Sequence, residues 1–290
     1  MSLIERLAEM PTRGVALAHR GFVRYRESMG ARSQLISAAS TAQDINGDQT
    51  PFVFLHGIGS GSGSWIEQLN DDRLGRVLAW DAPGYADSTP LAADEPVAAD
   101  YAAQLWAWLD ALQIKDVHLV GHSLGCIMSA SAARLQASRV KSLTLLAPAQ
   151  GYGTASAEVR EKKRDERLQA MRELGLQKMA EQRAPRLLAS HATPSQIALA
   201  TDMMSRLNEG GYTQATRMLS SGNIRADLLA FQAASSAPIR VACGDQDVIT
   251  PPAACQALAS FLNVPYTNLP GAGHVCALEA PQSVNQLLLS

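Results

Sequence analysis

The stretch "VGHSLGC", residues 120–126, decides how this chain is interpreted. Its glycines and serine (Gly121, Ser123, Gly125) have the spacing G-x-S-x-G, directly after the apolar run "VHLV". That spacing is typical of a strained strand-to-helix turn that exposes a nucleophilic serine. The alternative is a glycine-rich turn that merely contains a serine. Whether the chain also supplies chemical partners for Ser123 separates the two interpretations.

The first such partner is a general base, because a serine hydroxyl is a poor nucleophile near neutral pH. His122 adjoins Ser123 on the turn, so its ring should point away, and His118 lies inside the strand. His56 sits among glycines that suggest another role. His274 lies in "LPGAGHVCALEAP", after the last strand and at the edge of a parallel sheet where ligands bind. We therefore predict that His274 is the base.

The base needs a carboxylate to orient it. The stretch "VACGDQDVITPP" ends a strand with two, Asp245 and Asp247, of which only one need face the histidine. Asp247 lies further along that loop. The stretch after the preceding strand, "LLAPAQGYG", contains no acid. Asp81 also ends a strand, but earlier in the chain, and we interpret it as an acceptor for loop amides.

The reaction also needs donors for the oxyanion that forms. One should be the backbone N–H of Leu124, the residue after Ser123. The other should come from the loop "HGIGSGSGSW", where we place it at Ile58. Such a loop can also hold phosphate, but this one opens no helix and no G-K-[ST] follows. A nucleotide site is therefore disfavoured.

From Pro51 onward, short apolar runs alternate with helical patterns. This alternation predicts an α/β fold with a mostly parallel central sheet and flanking helices. The first fifty residues are harder to interpret, and "GFVRYRES" and "RSQLISAAS" are candidates for a hairpin followed by a turn at "DINGDQTP". The predicted strands of the sheet are "PFVFLHG", "RVLAWDAPG", "VHLVGHS", "VKSLTLLAPA", "PIRVACGDQD" and "VPYTNLPG".

Residues 150–236 interrupt the alternation, because they contain no convincing strand and exceed the length of a crossover. We predict an inserted helical cap there, between two strands of a core domain formed by residues 1–149 and 237–290. Residues 151–236 carry 12 Lys and Arg against 9 Asp and Glu. Methionines suit an adaptable apolar pocket wall, and one inward-facing arginine would suit a substrate carboxylate. The methionines are Met171, Met179, Met203, Met204 and Met218, and the candidate arginines are Arg183, Arg186, Arg206 and Arg217.

Composition narrows the class of protein. The net charge of -2 gives no basic field for nucleic acid. The four scattered cysteines fit buried small apolar side chains better than disulfides or a zinc site. The N-terminus lacks the apolar core of a secretory signal, and no run is long enough to span a bilayer. We expect a cytoplasmic protein that acts on a moderately apolar small molecule. We expect it to bind no nucleic acid or membrane and to need no metal or cofactor. Homo-oligomerisation is left open.

Taken together, these pieces resemble the α/β-hydrolase fold superfamily. The matching stretches are "HGIG", "DAPGYADS", "GHSLG", "GDQDVITPP" and "GAGH", in that fold's order Ser…Asp…His. The chain looks most like the capped branch of enol-lactone hydrolases, meta-cleavage-product hydrolases and haloperoxidase-like esterases. The resemblance implies Ser123 as nucleophile, Asp247 as acid and His274 as base. Related epoxide hydrolases and haloalkane dehalogenases carry Asp at the turn, so Ser123 argues against both; Cys126, where relatives often have glycine, is interpreted as packing.

Two functions from different classes remain. The favoured one is a serine hydrolase that cleaves an ester, an enol-lactone or a C–C bond of a vinylogous diketone. The alternative is a ligand-binding receptor that keeps the scaffold and pocket but turns over little. The intact set of three residues counts against a pure receptor, and the sequence does not identify the substrate.

Overall fold

A computed structural model describes residues 1–30 and 50–290 of the 290-residue chain. Its strands are β1 (Thr12–Leu17), β2 (Gly21–Met29), β3 (Phe52–Leu55), β4 (Arg76–Trp80), β5 (Val117–His122), β6 (Val140–Leu146), β7 (Ile239–Gly244) and β8 (Tyr266–Leu269). They form one sheet in the order β1-β2-β4-β3-β5-β6-β7-β8. The pairs β1/β2 and β2/β4 are antiparallel, and every other neighbouring pair is parallel. The predicted mostly parallel sheet is confirmed.

Helices flank this sheet and form the segment between β6 and β7. They are α1 (Leu3–Glu9), α2 (Ile66–Leu69), α3 (Ala98–Ala111), α4 (Leu124–Leu135), α5 (Ala157–Arg183), α6 (Pro194–Ser205), α7 (Glu209–Ser221), α8 (Ile224–Ala234), α9 (Pro252–Leu262), α10 (Cys276–Glu279) and α11 (Pro281–Leu289). None of the described helices combines the length and the apolar character that crossing a membrane would require.

Side chains of the central strands alternate between two apolar cores, one on each face of the sheet. In β3, Val53 and Leu55 pack into the core that contains the apolar residues of α4. The intervening Phe52 and Phe54 pack into the other core, with Trp65 and the apolar side of α11. This two-sided burial explains why the strands are continuous apolar runs instead of alternating patterns. All four cysteines are free and buried, as predicted.

The N-terminal region differs from the sequence interpretation. The stretch "GFVRYRES" is a strand, but it lies in β2 and pairs with β1 on one side and β4 on the other. β1 was not predicted, because its exposed residues and a glycine hide any apolar alternation. The second strand proposed for that hairpin, "RSQLISAAS", and most of "DINGDQTP" lie outside the described residues.

The parallel arrangement brings loops from distant parts of the chain to one edge. The carboxyl ends of β3, β5, β7 and β8 all lie at that edge. The loop after β3 carries Ile58, and the turn after β5 carries Ser123. The loop after β7 carries Asp247, and the loop after β8 carries His274. The fold therefore gathers the candidate residues before any side-chain contact is considered.

Between β6 and β7, every regular secondary-structure element of the described chain is a helix. α5 bends at Gly175, whose φ of 71° lies outside the helical range. α5 packs against α6 and α7, whereas α8 packs against α4 and α9 on the flank of the sheet. α7 begins at Glu209, where Asn208 caps the helix by accepting a bond from the Gly211 N–H at 3.1 Å. Both glycines lie in the first turn of α7.

Candidate active site

Ser123 occupies a strained turn between β5 and α4. Its φ of 52° and ψ of -115° are unfavourable for a residue with a side chain. The turn is held by a hydrogen bond from the Ser123 N–H to the Leu146 carbonyl of the adjacent strand, 2.9 Å. A Cβ at Gly125 would collide with the Leu55 carbonyl, so the second glycine of the motif allows α4 to approach β3 closely. The motif spacing therefore reflects packing needs as well as the exposure of the serine.

His274 and Asp247 form a direct pair beside this turn. The two atoms His274 Nδ1 and Asp247 Oδ2 are 2.8 Å apart. Both side chains are buried, and the other carboxylate oxygen accepts the N–H groups of Ile249 and Thr250 at 2.7 and 3.0 Å. Burial by itself would raise the pKa of Asp247, but these bonds and the pairing with His274 outweigh burial and lower the pKa to about 2. Asp247 therefore stays ionised throughout the neutral range.

The neighbouring acid, Asp245, has a different role. It is exposed, and its Oδ1 accepts the Gly271 N–H at 2.8 Å. The bond links the loop after β7 to the turn after β8. The two-residue spacing places Asp247 inside the loop, against the histidine, and Asp245 on its outer side. Asp245 is thus a structural link, and Asp247 is the acid that contacts His274.

Two backbone amides face the same region. Ile58, in the loop after β3, and Leu124, the first residue of α4, both line the cavity together with Ser123. Among the described residues, neither the Ile58 N–H nor the Leu124 N–H has a backbone acceptor outside helices and strands. The Ile58 carbonyl accepts the Tyr85 hydroxyl at 2.9 Å, which fixes the orientation of this peptide. The backbone bonding of these loops therefore does not use either N–H group.

His122 departs from the prediction that its ring points away from the site. Its Nε2 lies 2.7 Å from the His274 carbonyl oxygen, and the two rings are 4.9 Å apart. Because a carbonyl only accepts, Nε2 must carry the proton. Burial, and then repulsion from His274, lowers the pKa of His122 to about 3, so the ring stays neutral. His122 therefore supports the backbone of the loop that carries His274.

His56 and Asp81 stabilise the glycine-rich loop after β3. His56 Nδ1 lies 2.8 Å from the Gly57 carbonyl, and its Nε2 accepts the Ala82 N–H at 3.1 Å. Asp81 accepts the backbone N–H of Ser62 at 2.7 Å, as predicted for an acceptor of loop amides. Both side chains are buried. Together they fix the loop that presents Ile58.

The histidine loop is also bonded to the helical segment, a contact region that we call the seam. The His274 N–H donates to the Leu187 carbonyl at 2.7 Å. Glu279 accepts the Ala189 N–H with one oxygen at 2.6 Å and the Gly273 N–H with the other at 3.1 Å. A Cβ at Gly273 would lie 2.6 Å from the Ala189 nitrogen, so this close approach requires glycine. No local sequence pattern indicates the seam, because its partners are 90 and 6 residues from Glu279.

Ser123 and His274 open into one cavity of about 530 Å³ between the sheet edge and the helical segment. Its size suits a drug-sized molecule. Of the five methionines predicted for the pocket wall, three line it, and the other two are buried elsewhere. The three are Met179, Met203 and Met204, and the two are Met171 and Met218.

Arginines of the helical segment supply much of the charge in this cavity. Arg183 and Arg186 line it, as two of the four candidates, and so does Arg167, which was not predicted. Arg206 instead pairs with Asp202 on the surface, and Arg217 lies away from the cavity. Arg167 was missed because it lies in a run of charged residues. In the described part of the chain, no three His, Cys, Asp or Glu side chains come together as a metal site would require.

Comparison with known proteins gives relatives of several activities. The chain is 29% identical over 251 residues to the dihydrolipoyllysine-residue acetyltransferase component of the acetoin cleaving system of Pseudomonas putida. That match covers 83% of the chain but only 63% of the relative's length. The chain thus spans less than two thirds of this curated relative.

Solved structures match over nearly the whole chain. A thermophilic esterase from Thermogutta terrifontis, bound to malate, has a TM-score of 0.77 and 22% identity, covering 96% of this chain and 97% of that one. The enol-lactonase of Burkholderia xenovorans LB400 has a TM-score of 0.77 and 18% identity, covering 96% and 98%. At this identity the likeness concerns the fold. The family model described as alpha/beta hydrolase fold matches residues 50–281, most of the chain, and the chain therefore belongs to that family.

Proposed function

We propose that this protein is a serine hydrolase that cleaves a carbonyl compound with Ser123 as nucleophile, His274 as base and Asp247 as the orienting acid. The observation that carries the proposal is the 2.8 Å contact between His274 Nδ1 and Asp247 Oδ2 beside the strained turn of Ser123. The alpha/beta hydrolase family match, and the names esterase and enol-lactonase among structures of this fold, support hydrolysis of an ester-like bond.

The first half of the reaction forms an acyl-enzyme. Because Asp247 holds the proton on His274 Nδ1, the neutral ring offers an unprotonated Nε2 to the cavity. Nε2 takes the proton of the Ser123 hydroxyl while Oγ attacks the carbonyl carbon. The electron pair of the carbonyl moves to its oxygen, where the N–H groups of Ile58 and Leu124 donate to the oxyanion. Collapse of the intermediate breaks the bond to the leaving group, which receives the proton from His274.

The second half returns the enzyme to its initial state. Water enters, gives a proton to His274 Nε2 and attacks the acyl carbon. The new oxyanion uses the same two amides, and its collapse releases the acid and returns the proton to Ser123 Oγ. For a vinylogous diketone the same groups would serve a C–C cleavage, in which water attacks the carbonyl without an acyl-enzyme.

The helical segment has a separate part in this proposal. We assign the role of the cap to α5–α7, residues 157–221, because α5 packs on both α6 and α7 and all three helices line the cavity. α8 packs on α4 and α9, and serves as the crossover helix that returns the chain to β7. Within the segment 150–236, the part that selects substrates is therefore α5–α7. The proposal places the reacting groups on the sheet edge and the selecting groups on these helices.

The alternative function is a ligand receptor that turns over little. A single-turnover experiment with a p-nitrophenyl ester separates the two. We expect a burst of p-nitrophenol equal to the enzyme concentration, and an acyl mass on the peptide that contains Ser123. If the protein binds the ester but releases no p-nitrophenol, under conditions where the ester itself is stable, it acts as a receptor. That result contradicts the proposal.

A further inference from the structure

The charges that line the cavity are unbalanced. Three arginines line it, Arg167, Arg183 and Arg186, and all belong to the helical segment. Among the described residues that line the cavity, none is Asp or Glu. Guanidinium groups remain charged at every working pH. The arginine side of the cavity therefore carries positive charge with no acidic side chain opposite to it.

Four other cations of the segment pair with acids. Lys163 pairs with Glu166, and Arg164 pairs with Asp165. Arg206 pairs with Asp202, and Arg217 approaches Glu95. In contrast, none of the three cavity arginines forms an ion pair within residues 1–30 and 50–290. Within the described chain, no acid therefore neutralises the three cavity arginines by direct pairing.

Arg183 is held in position at the end of α5. Its Nη1 donates to the Tyr212 hydroxyl at 3.2 Å, and Tyr212 is buried on α7. This bond uses one of five N–H donors of Arg183 and links α5 to α7. Arg167 is half-buried on the other half of α5, whereas Arg186 is exposed and lies nearer to solvent. Arg183 and Arg167 are therefore the donors with the least solvent around them.

We propose that this arginine side is a subsite for a carboxylate that the substrate carries away from its scissile carbonyl. The inference rests on the proposed function and specifies its substrate class as monoesters, lactones or diketones of an organic acid. A planar carboxylate accepts paired N–H bonds from a guanidinium, and it neutralises charge that the cavity walls leave uncompensated. Met179, Met203 and Met204 would contact the apolar chain between the two groups.

The test separates binding from catalysis. Monomethyl esters of glutaric, adipic and pimelic acid are titrated calorimetrically into the Ser123→Ala protein, next to their dimethyl esters. We expect the free acid to bind about 10- to 100-fold more tightly at the best chain length, the value of one charge-assisted contact. Equal affinity of acid and dimethyl ester at every length overturns the proposal.

Variants identify the residues responsible. Arg183→Gln and Arg167→Gln should each lower the preference for the acid about 10-fold while the dimethyl esters bind as before. Tyr212→Phe keeps the ring but removes the hydroxyl that positions Arg183, and should lower the preference by a smaller factor. Arg206→Gln is the matched control, because it removes a surface arginine of the same segment, and its preference should not change. A loss of preference in Arg206→Gln equal to that in Arg183→Gln contradicts the assignment.

Two further experiments are needed. One compares carboxylate with phosphonate ligands, and the other separates the proposed subsite from the proposed hydrolysis. The ω-phosphonate analogues of the same lengths should bind no more tightly than the carboxylates, and tighter phosphonate binding overturns the carboxylate assignment. The wild-type protein is assayed on p-nitrophenyl monoesters of the same acids and on neutral p-nitrophenyl esters. A preference for the acid in binding, without release of p-nitrophenol from any ester, contradicts the proposed hydrolysis and leaves the subsite intact.

Discussion

The two walls of the cavity are built in different ways. The wall on the sheet edge consists of loops with small residues and close backbone contacts, in which His56, Asp81 and Asp247 each hold backbone amides or a neighbouring ring. The wall formed by α5–α7 consists mainly of long side chains, chiefly arginine, methionine and leucine. The first wall fixes positions through the backbone, and the second fills space with side chains.

This difference suggests a division of labour between reaction and selection. Stabilising an oxyanion requires donors that do not move during the reaction, so the groups proposed for catalysis lie on loops anchored to a sheet. Choosing a substrate requires only complementary shape and charge, which side chains on helices provide. The two walls meet at the seam, where Glu279 and the Leu187 carbonyl tie the helical segment to the loop of His274.

The largest effect that the comparison predicts is at Ser123. Ser123→Ala should fold normally but lose activity by about 10⁴–10⁶-fold, because it removes the nucleophile on which the other groups act. Steady-state hydrolysis of a p-nitrophenyl ester measures the loss. A fluorophosphonate should label Ser123 in the wild-type protein, and labelling at another serine would contradict the assignment.

The pair Asp247 and Asp245 gives the next largest effect. Asp247→Asn should cost on the order of 10⁴-fold in kcat, because an amide favours the wrong tautomer of His274. Asp245→Asn is the matched control on the same loop, and we expect little change in kcat, since the Asp245 carboxylate accepts the Gly271 N–H on the outer side of the loop. Comparable losses in both variants would show that the loop as a whole, and not its inner acid, matters for the rate.

We expect the rate to depend on one ionisation only, although two histidines lie next to each other in the site. Because His274 must be neutral to accept a proton, kcat/KM should rise about tenfold per pH unit below one ionisation, then level off. His122, with its pKa lowered to about 3, and Asp247, with its pKa lowered to about 2, do not titrate in this range. His122→Gln should therefore leave the midpoint of the rise unchanged, and a second ionisation near neutrality, lost in that variant, would show that His122 titrates.

The smallest predicted effect tests the seam. Glu279→Gln keeps one acceptor but turns an amide N–H₂ towards a backbone N–H, which leaves a donor unsatisfied. We expect the free energy of unfolding to fall by about 1–2 kcal/mol, and kcat to fall several-fold for neutral and acidic esters alike. Glu67→Gln, which breaks the peripheral pair with Arg6, should lower stability by less than about 1 kcal/mol. Urea unfolding and steady-state kinetics measure both variants, and unchanged kcat in Glu279→Gln would limit the seam to a structural role.

Much of the sheet-edge wall could be predicted from the sequence. The order of strands, the loop after each strand and the G-x-S-x-G spacing follow from local patterns, and parallel topology then places Ser123, Asp247 and His274 at one edge. From the sequence, only the resemblance favoured Asp247 over Asp245. In the structure the loop turns inward, which brings Asp247 against His274 and leaves Asp245 on the outer side. The orientation of His122 was predicted wrongly, because its contact is with the carbonyl of a residue 152 positions away.

The helical wall shows what local patterns miss. The sequence by itself determined that residues 150–236 are helical and rich in cations, because helix periodicity and charge are local properties. It did not determine which arginines face inward: Arg206 and Arg217 lie away from the cavity, and Arg167 faces it. The bend at Gly175 and the packing of α5 on α6 and α7 decided that. A residue's face on a helix follows from its spacing, but whether that face meets solvent or a cavity depends on elements far away in the chain, which only the tertiary structure brings together.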